Sequence, residues 1–263
     1  MRLRAAVCAA AFLALAACST RVLPPVEEPA SRTMPEKADP TRRADAHLQL
    51  AVAYLGNSQA QAALDEVNQV IKDAPNSAGA YNVLGLVRAA LGDNLLAEQA
   101  FRRSLQLAPD NAGTLHNYGW YLCQRRRFDE AEAQFRLALV QPQYREVGRT
   151  RLAQGVCEAN AGHWAEAEKT LMHAFELEPT NPVVAFNLAD VLYKRGENQR
   201  ALFYIQRVNA VAAQVNAQSL WLAARIQRRL GNDAAVSELG RQLSDRYPQS
   251  PQTASFDQGR FNE

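Results

Sequence analysis

Four cysteines and four histidines are the side chains of this 263-residue sequence best suited to chemistry. Thiols can be acylated, oxidised in pairs or used as metal ligands, and imidazoles can ligate or shuttle protons. Cys8 lies within an apolar N-terminal run, Cys18 closes it, and Cys123 and Cys157 stand 34 residues apart. His47, His116, His163 and His173 show no ligand-like spacing to one another or to the cysteines, so no zinc site is expected. There is no Gly-x-Ser-x-Gly, no phosphate-cradling glycine loop and no His-Glu-x-x-His. Glu130/Glu132 and Glu166/Glu168 fall at the starts of predicted helices, where negative charge favours the helix dipole. The sequence therefore offers no catalytic, metal or cofactor site, and the chain reads as a non-enzyme.

The elements that position these residues come from a repeat. Alanines recur at Ala63, Ala97, Ala131, Ala167, Ala201 and Ala235. Upstream of them stand Leu50-Ala51, Leu84-Gly85, Tyr118-Gly119, Gln154-Gly155, Leu188-Ala189 and Leu222-Ala223. Pro75 and Pro109 are 34 apart, Gln143 lies 34 further on, and Pro179 follows 36 later. That offset predicts a two-residue insertion between Gln141 and Val147. Gly92, Gly162 and Gly196 each stand five residues before their alanine, whereas Gly56 stands seven before Ala63, predicting a longer first loop. The clearest copy, Leu115, Tyr118-Gly119, Leu122, Ala131, Phe135 and Pro142, resembles the tetratricopeptide pattern. Small residues such as Gly119 and Ala131 let two antiparallel helices cross closely, and proline ends the second helix. The expected fold is all-α: a right-handed α-solenoid of six helix-turn-helix repeats over residues 44–248. Residues 249–263 form a tail whose Phe256 and Phe261 are spaced for a short capping helix.

The N-terminus reads as an address. Arg2 and Arg4 precede the apolar run Ala5–Ala17, a secretory signal too short for a confident transmembrane helix, which needs roughly 20 residues. Its end, Leu15-Ala-Ala-Cys18, resembles a bacterial lipobox, which implies that residues 1–17 are removed and Cys18 is acylated. An ordinary secretory signal beside a chance cysteine is the alternative. Ser19, in place of an aspartate, implies retention at the outer membrane on its periplasmic face. Residues 18–43 carry Pro24, Pro25, Pro29, Pro35 and Pro40 among charges and have no apolar periodicity, as in a tether. Fully extended, such a tether would reach roughly 75 Å.

Lysine and arginine number 29 against 27 acidic residues, and removing Arg2 and Arg4 leaves the mature chain neutral. A neutral chain has no electrostatic footprint for nucleic acid. The first helix of each repeat is expected to line a concave groove. The predicted groove residues are Leu48, Val52 and Leu55, then Asn82, Leu86 and Ala89, then His116 and Trp120. Further along the row come Leu152, Val156, Phe186, Asp190 and Tyr193. Apolar side chains on a solvated face suggest a protein partner, taken up as a helix or an extended peptide. For Leu48 and Val52, a slip of one residue would turn the side chain into the core instead.

Cys123 and Cys157 fall one repeat apart, near the ends of consecutive first helices. In an oxidising compartment they are expected to pair, closing the loop between repeats three and four. Two buried free thiols remain the alternative.

With these features placed, the chain resembles the PilW/PilF family of type IV pilus biogenesis lipoproteins. The resemblance rests on Leu115-His-Asn-Tyr-Gly-Trp-Tyr-Leu-Cys123 with Arg127-Phe-Asp-Glu-Ala131, on Tyr144-Arg-Glu146 after Pro142, and on Arg246-Tyr-Pro-Gln-Ser250. It implies a pilotin: a monomeric, cofactor-free, lipid-anchored protein that binds the PilQ-like secretin subunit. Such a protein promotes the secretin's outer-membrane localisation and multimerisation. A general periplasmic adaptor that docks cell-wall hydrolases or proteases at the outer membrane would share the lipobox and the repeats.

Overall fold

In the computed structural model, residues 39–261 are described. The signal segment, Cys18 and almost all of the tether lie outside them. Helices come in six pairs. They are α1 (Pro40–Gly56) with α2 (Ala60–Asp73), α3 (Ala78–Ala90) with α4 (Asn94–Leu107), and α5 (Ala112–Gln124) with α6 (Phe128–Leu139). Then follow α7 (Val147–Asn160) with α8 (Trp164–Leu177), α9 (Pro182–Lys194) with α10 (Asn198–Asn209), and α11 (Ala217–Arg229) with α12 (Asp233–Arg246). A short α13 (Pro251–Asp257) ends the array, and the described residues contain no strand. The first helix starts at Pro40 rather than near residue 44. Proline suits a helix start, because its missing N–H would have had no intrahelical partner.

Short polar side chains start the first helix of several repeats. Ser77, Asn111, Asn181 and Asn216 accept hydrogen bonds from backbone N–H groups in the first turns of α3, α5, α9 and α11. Each such bond satisfies a donor the helix leaves unpaired, typically worth about 1 kcal/mol. The three-residue turns inside the repeats need one residue at positive φ. Glycine fills it at Gly92, Gly162, Gly196 and Gly231, and Ser58 and Arg126 do so at φ 58° and 59°. Ser58 stands five residues before Ala63, as Gly92 stands before Ala97. The first loop is therefore no longer than the rest: the expectation misread Gly56, the last residue of α1, as the turn glycine.

Within each repeat the two helices meet at a small residue. Ala63, Ala97, Ala131, Ala167 and Ala201 are all fully buried. One turn further along, Phe101, Phe135 and Leu171 lie against Gly85, Gly119 and Gly155. A Cβ on Gly85 would stand 2.6 Å from the Phe101 ring, and one on Gly119 would stand 2.9 Å from Phe135. In repeat six the register is one residue later than the sequence suggested. The buried pair is Ala224 and Val236, while Ala235 is only half-buried. The connection before α11 carries one residue more than a 34-residue period allows, and this shifted the alignment. Gly240 occupies the bulky position there, and Phe256 of α13 lies where a Gly240 side chain would stand. The tail is thus a cap that supplies an aromatic ring from outside the repeat.

Polar contacts join one repeat to the next. Glu98, after Ala97, receives Arg127 of the following turn at 2.7 Å, with Arg102 and the Tyr118 hydroxyl also donating. Hydrogen bonding from Arg127 holds the Glu98 carboxyl down at about 2, against the opposing effect of burial. Glu132 accepts from Gln154, and Glu168 pairs with Arg195 and Arg200. Glu132 and Glu168 therefore join repeats; only Glu130 and Glu166 occupy first helical turns.

Gly85→Val is expected to lower stability by about 2–3 kcal/mol, because Phe101 cannot retreat without disturbing the packed core. Gly56→Ala, with nothing within 4 Å, should change it by less than about 0.5 kcal/mol. Chemical denaturation of the two variants checks the contrast.

Candidate partner-binding groove

The first helices of successive repeats lie side by side, and their outward residues decide what the shared face can bind. Across α5, α7 and α9 these residues form an open hollow of about 410 Å³. Trp120, Leu152, Ala153 and Val156 supply its apolar surface, Arg149 and Val183 stand along it, and Asn187 and His116 complete it. Val183 is 53% exposed and Trp120 half-buried, so the hollow is solvated and largely apolar. Such a surface favours an apolar segment of another protein over a polar small molecule.

The predicted groove residues divide. Trp120, Leu152 and Val156 line the hollow. Leu48 and Leu55 instead pack against the first core cluster, with Ala51, Ala63 and Val67. Leu48 can do so because the neighbouring helix offers Gly79 there: its Cδ1 lies 3.6 Å from where a Gly79 Cβ would be. Repeats four and five have Arg149 and Val183 at that position, which stand up as walls. Leu86 and Ala89 pack on the Phe101 and Tyr118 cluster, and Asn82 accepts a hydrogen bond from Asn117. Val52 is half-exposed, as is Leu50 beside it. Phe186 packs on the core around Leu188 and Leu192. Asp190 is half-buried, and burial raises its pKa. Tyr193 is buried, with Arg229 3.8 Å above its ring centroid. The open apolar hollow thus lies over repeats three to five, and none of the predicted groove residues of repeats one and two lines it.

His116 forms a wall of the hollow rather than a contact. It is buried, and its Nδ1 shares a hydrogen bond of 2.8 Å with the Thr150 hydroxyl. Tyr144 meets the same hydroxyl at 2.6 Å, so the insertion after Pro142 ties repeat three to repeat four. Burial, reinforced by nearby Arg149, lowers the His116 pKa to about 4 and keeps the ring neutral.

Cys123 of α5 and Cys157 of α7 are joined by a disulfide, their Cα atoms 5.7 Å apart. Both sulfurs are buried in the Phe101, Phe135 and Tyr121 cluster. The bridge spans 34 residues and fixes the two helices that carry most of the hollow. Sequence reasoning missed Arg149, Val183 and Asn187, which belong to groove positions it did not name in repeats four and five. It also missed Trp221 and Arg225, hidden by the register slip in repeat six.

The paired helices and their crossing residues define a tetratricopeptide-repeat protein. Tetratricopeptide-repeat family profiles match residues 78–111 and 158–226. The chain is a homologue of the type IV pilus proteins PilF and PilW. It is 28% identical over 212 residues to the type IV pilus assembly protein PilF of Pseudomonas aeruginosa, covering 81% of this chain and 84% of that protein. The crystal structure of PilW, a widely conserved type IV pilus biogenesis factor, superposes with a TM-score of 0.75 at 29% identity. That match covers 81% of this chain and 97% of PilW. The structure of P. aeruginosa PilF gives 0.72 at 27% identity, covering 84% and 99%.

Reduction, or Cys123→Ser, should lower stability by about 4 kcal/mol in the chain-entropy account of a loop this long. Denaturation with and without reductant measures it. A second expectation concerns acid. His116 titrates lower folded than unfolded, so the unfolded state takes up the proton first and stability falls as pH drops from about 6.5 to about 4. The loss is on the order of 3 kcal/mol, and His116→Gln should flatten stability against pH across that window.

Proposed function

We propose that this protein is a pilotin of type IV pilus biogenesis. It is anchored at the periplasmic face of the outer membrane by acyl chains on Cys18, and it binds the secretin subunit through the concave face of its repeats. The observation that carries the reading is the likeness to PilF and PilW over 81–84% of the chain. The lipobox-like Leu15-Ala-Ala-Cys18 supports the anchor, and the hollow of Trp120, Leu152, Val156 and Val183 supports capture of an apolar segment. No step of bond chemistry is required. Anchoring raises the local concentration of captured subunits at the membrane, which favours assembly of their ring. More than one acyl chain is needed for a stable anchor, because a single chain binds only marginally.

An unboiled immunoblot of outer membranes for secretin multimers tests this in a deletion strain. The wild-type gene should restore multimers. Cys18→Ala should fail to restore them at the outer membrane, and Val156→Asp with Val183→Asp should reduce them at least about tenfold while the protein stays folded, the loss expected when buried apolar contacts are replaced by charge. Normal multimers and piliation in the deletion strain would contradict the reading and favour a general periplasmic adaptor.

A further inference from the structure

The last described residues of the chain occupy the groove at its far end. After α13, Gly259 at φ 68° turns the backbone, with its N–H donating to the Phe256 carbonyl and that of Arg260 to the Ser255 carbonyl. The turn brings Phe261 onto α11. Its ring centroid lies 5.1 Å from Trp221 and 5.4 Å from Phe256, and the Arg228 guanidinium stands 5.8 Å above it. The Phe261 carbonyl accepts hydrogen bonds from Arg225 Nε at 3.2 Å and from the Tyr193 hydroxyl at 3.3 Å. Trp221 and Arg225 sit in α11 where Leu152 and Val156 sit in α7, one residue beyond the unshifted register. Phe261 therefore lies on the same face that forms the open hollow.

Besides its packing on Phe261, the cap makes contacts of its own. Phe256 fills the place beside Gly240, and the Thr253 hydroxyl donates to the Tyr247 carbonyl at 2.7 Å, both before the turn. What residues 258–261 add is occupancy of the groove. The features held there, a backbone carbonyl and an aromatic ring, belong to any peptide with an aromatic side chain. The aromatic and cationic partners suit a ring, through edge-on packing and cation–π attraction.

We propose that Tyr193, Trp221, Arg225 and Arg228 form a second peptide-binding site at the C-terminal end of the groove. Its ligand is a short segment of a partner protein carrying an aromatic residue, and the chain's own Phe261 is a resident that this segment displaces. The proposal does not rest on the secretin reading, since it concerns repeats five and six and a ligand defined only by its chemistry. A tethered resident competes at an effective concentration in the millimolar range, so the site discriminates against weak ligands.

The test uses a fluorescent peptide with the sequence Asp-Gln-Gly-Arg-Phe-Asn-Glu of residues 257–263, titrated by anisotropy against the full chain. Phe261→Ala in the full chain should bind it at least about tenfold more tightly than wild type, the gain expected when a competitor at about 1 mM effective concentration leaves a site with a Kd of about 0.1 mM or less. A chain ended after Gln258, which keeps α13, should show the same gain. Adding Arg225→Ala to Phe261→Ala should abolish the gain, as should replacing the peptide's phenylalanine by alanine. Equal affinity for wild type and Phe261→Ala, or binding to neither, overturns the proposal, and so does binding indifferent to Arg225.

Discussion

The close crossing of two helices at a small residue is the constraint on which the rest of this protein depends. Gly85 under Phe101, Gly119 under Phe135 and Gly155 under Leu171 bring each pair together at a distance a larger side chain would prevent. Each bulky residue is in turn buried by the next repeat. Phe101 stacks on Tyr118 and packs on Tyr121, both from the following first helix, with centroids 5.5 Å apart. No repeat can bury its own face alone, so stability passes from neighbour to neighbour and the two ends need separate solutions. At the C-terminal end the solution is explicit, because Phe256 of α13 supplies the ring that Gly240 lacks. At the N-terminal end Leu50 and Val52 remain half-exposed.

The shape of the concave face follows from that scaffold. Once the second helices hold the first helices side by side, what the face offers depends on which side chains lean inward and which stand up. Leu48 lies down over Gly79, whereas Arg149 and Val183 wall the hollow. The Cys123–Cys157 bridge and the His116–Thr150–Tyr144 contacts lock α5 to α7 at the place where the hollow forms. These links thus join the two helices that carry most of the hollow. A preformed surface avoids the entropy cost of ordering loops when a partner arrives.

Much of the fold was legible because crossing residues are constrained at a fixed period. Ala63 through Ala201, the insertion after Pro142 and the capping tail could be read directly from spacing. The errors have physical causes. A turn needs positive φ and not glycine as such, so Ser58 hid the first turn behind Gly56. A single added residue before α11 shifts repeat six, so a 34-residue period points to Ala235 where the structure buries Val236, and it hides Trp221 and Arg225. The groove was less legible, because position in a repeat fixes which face a residue occupies but not whether a neighbour leaves room for it to lie down. Gly79 decides that for Leu48, and no period in the sequence announces it.

The measurement that tests the central claim most directly is site-specific photo-crosslinking in living cells, with the photoreactive residue at Val183 in the hollow or at Leu95 and Val140 outside it. All three positions are exposed, so reactivity alone does not separate them. Capture of a secretin subunit from Val183, and not from Leu95 or Val140, is the result predicted here. Capture from Leu95 or Val140 with none from Val183 would contradict it, and would place recognition outside the concave face.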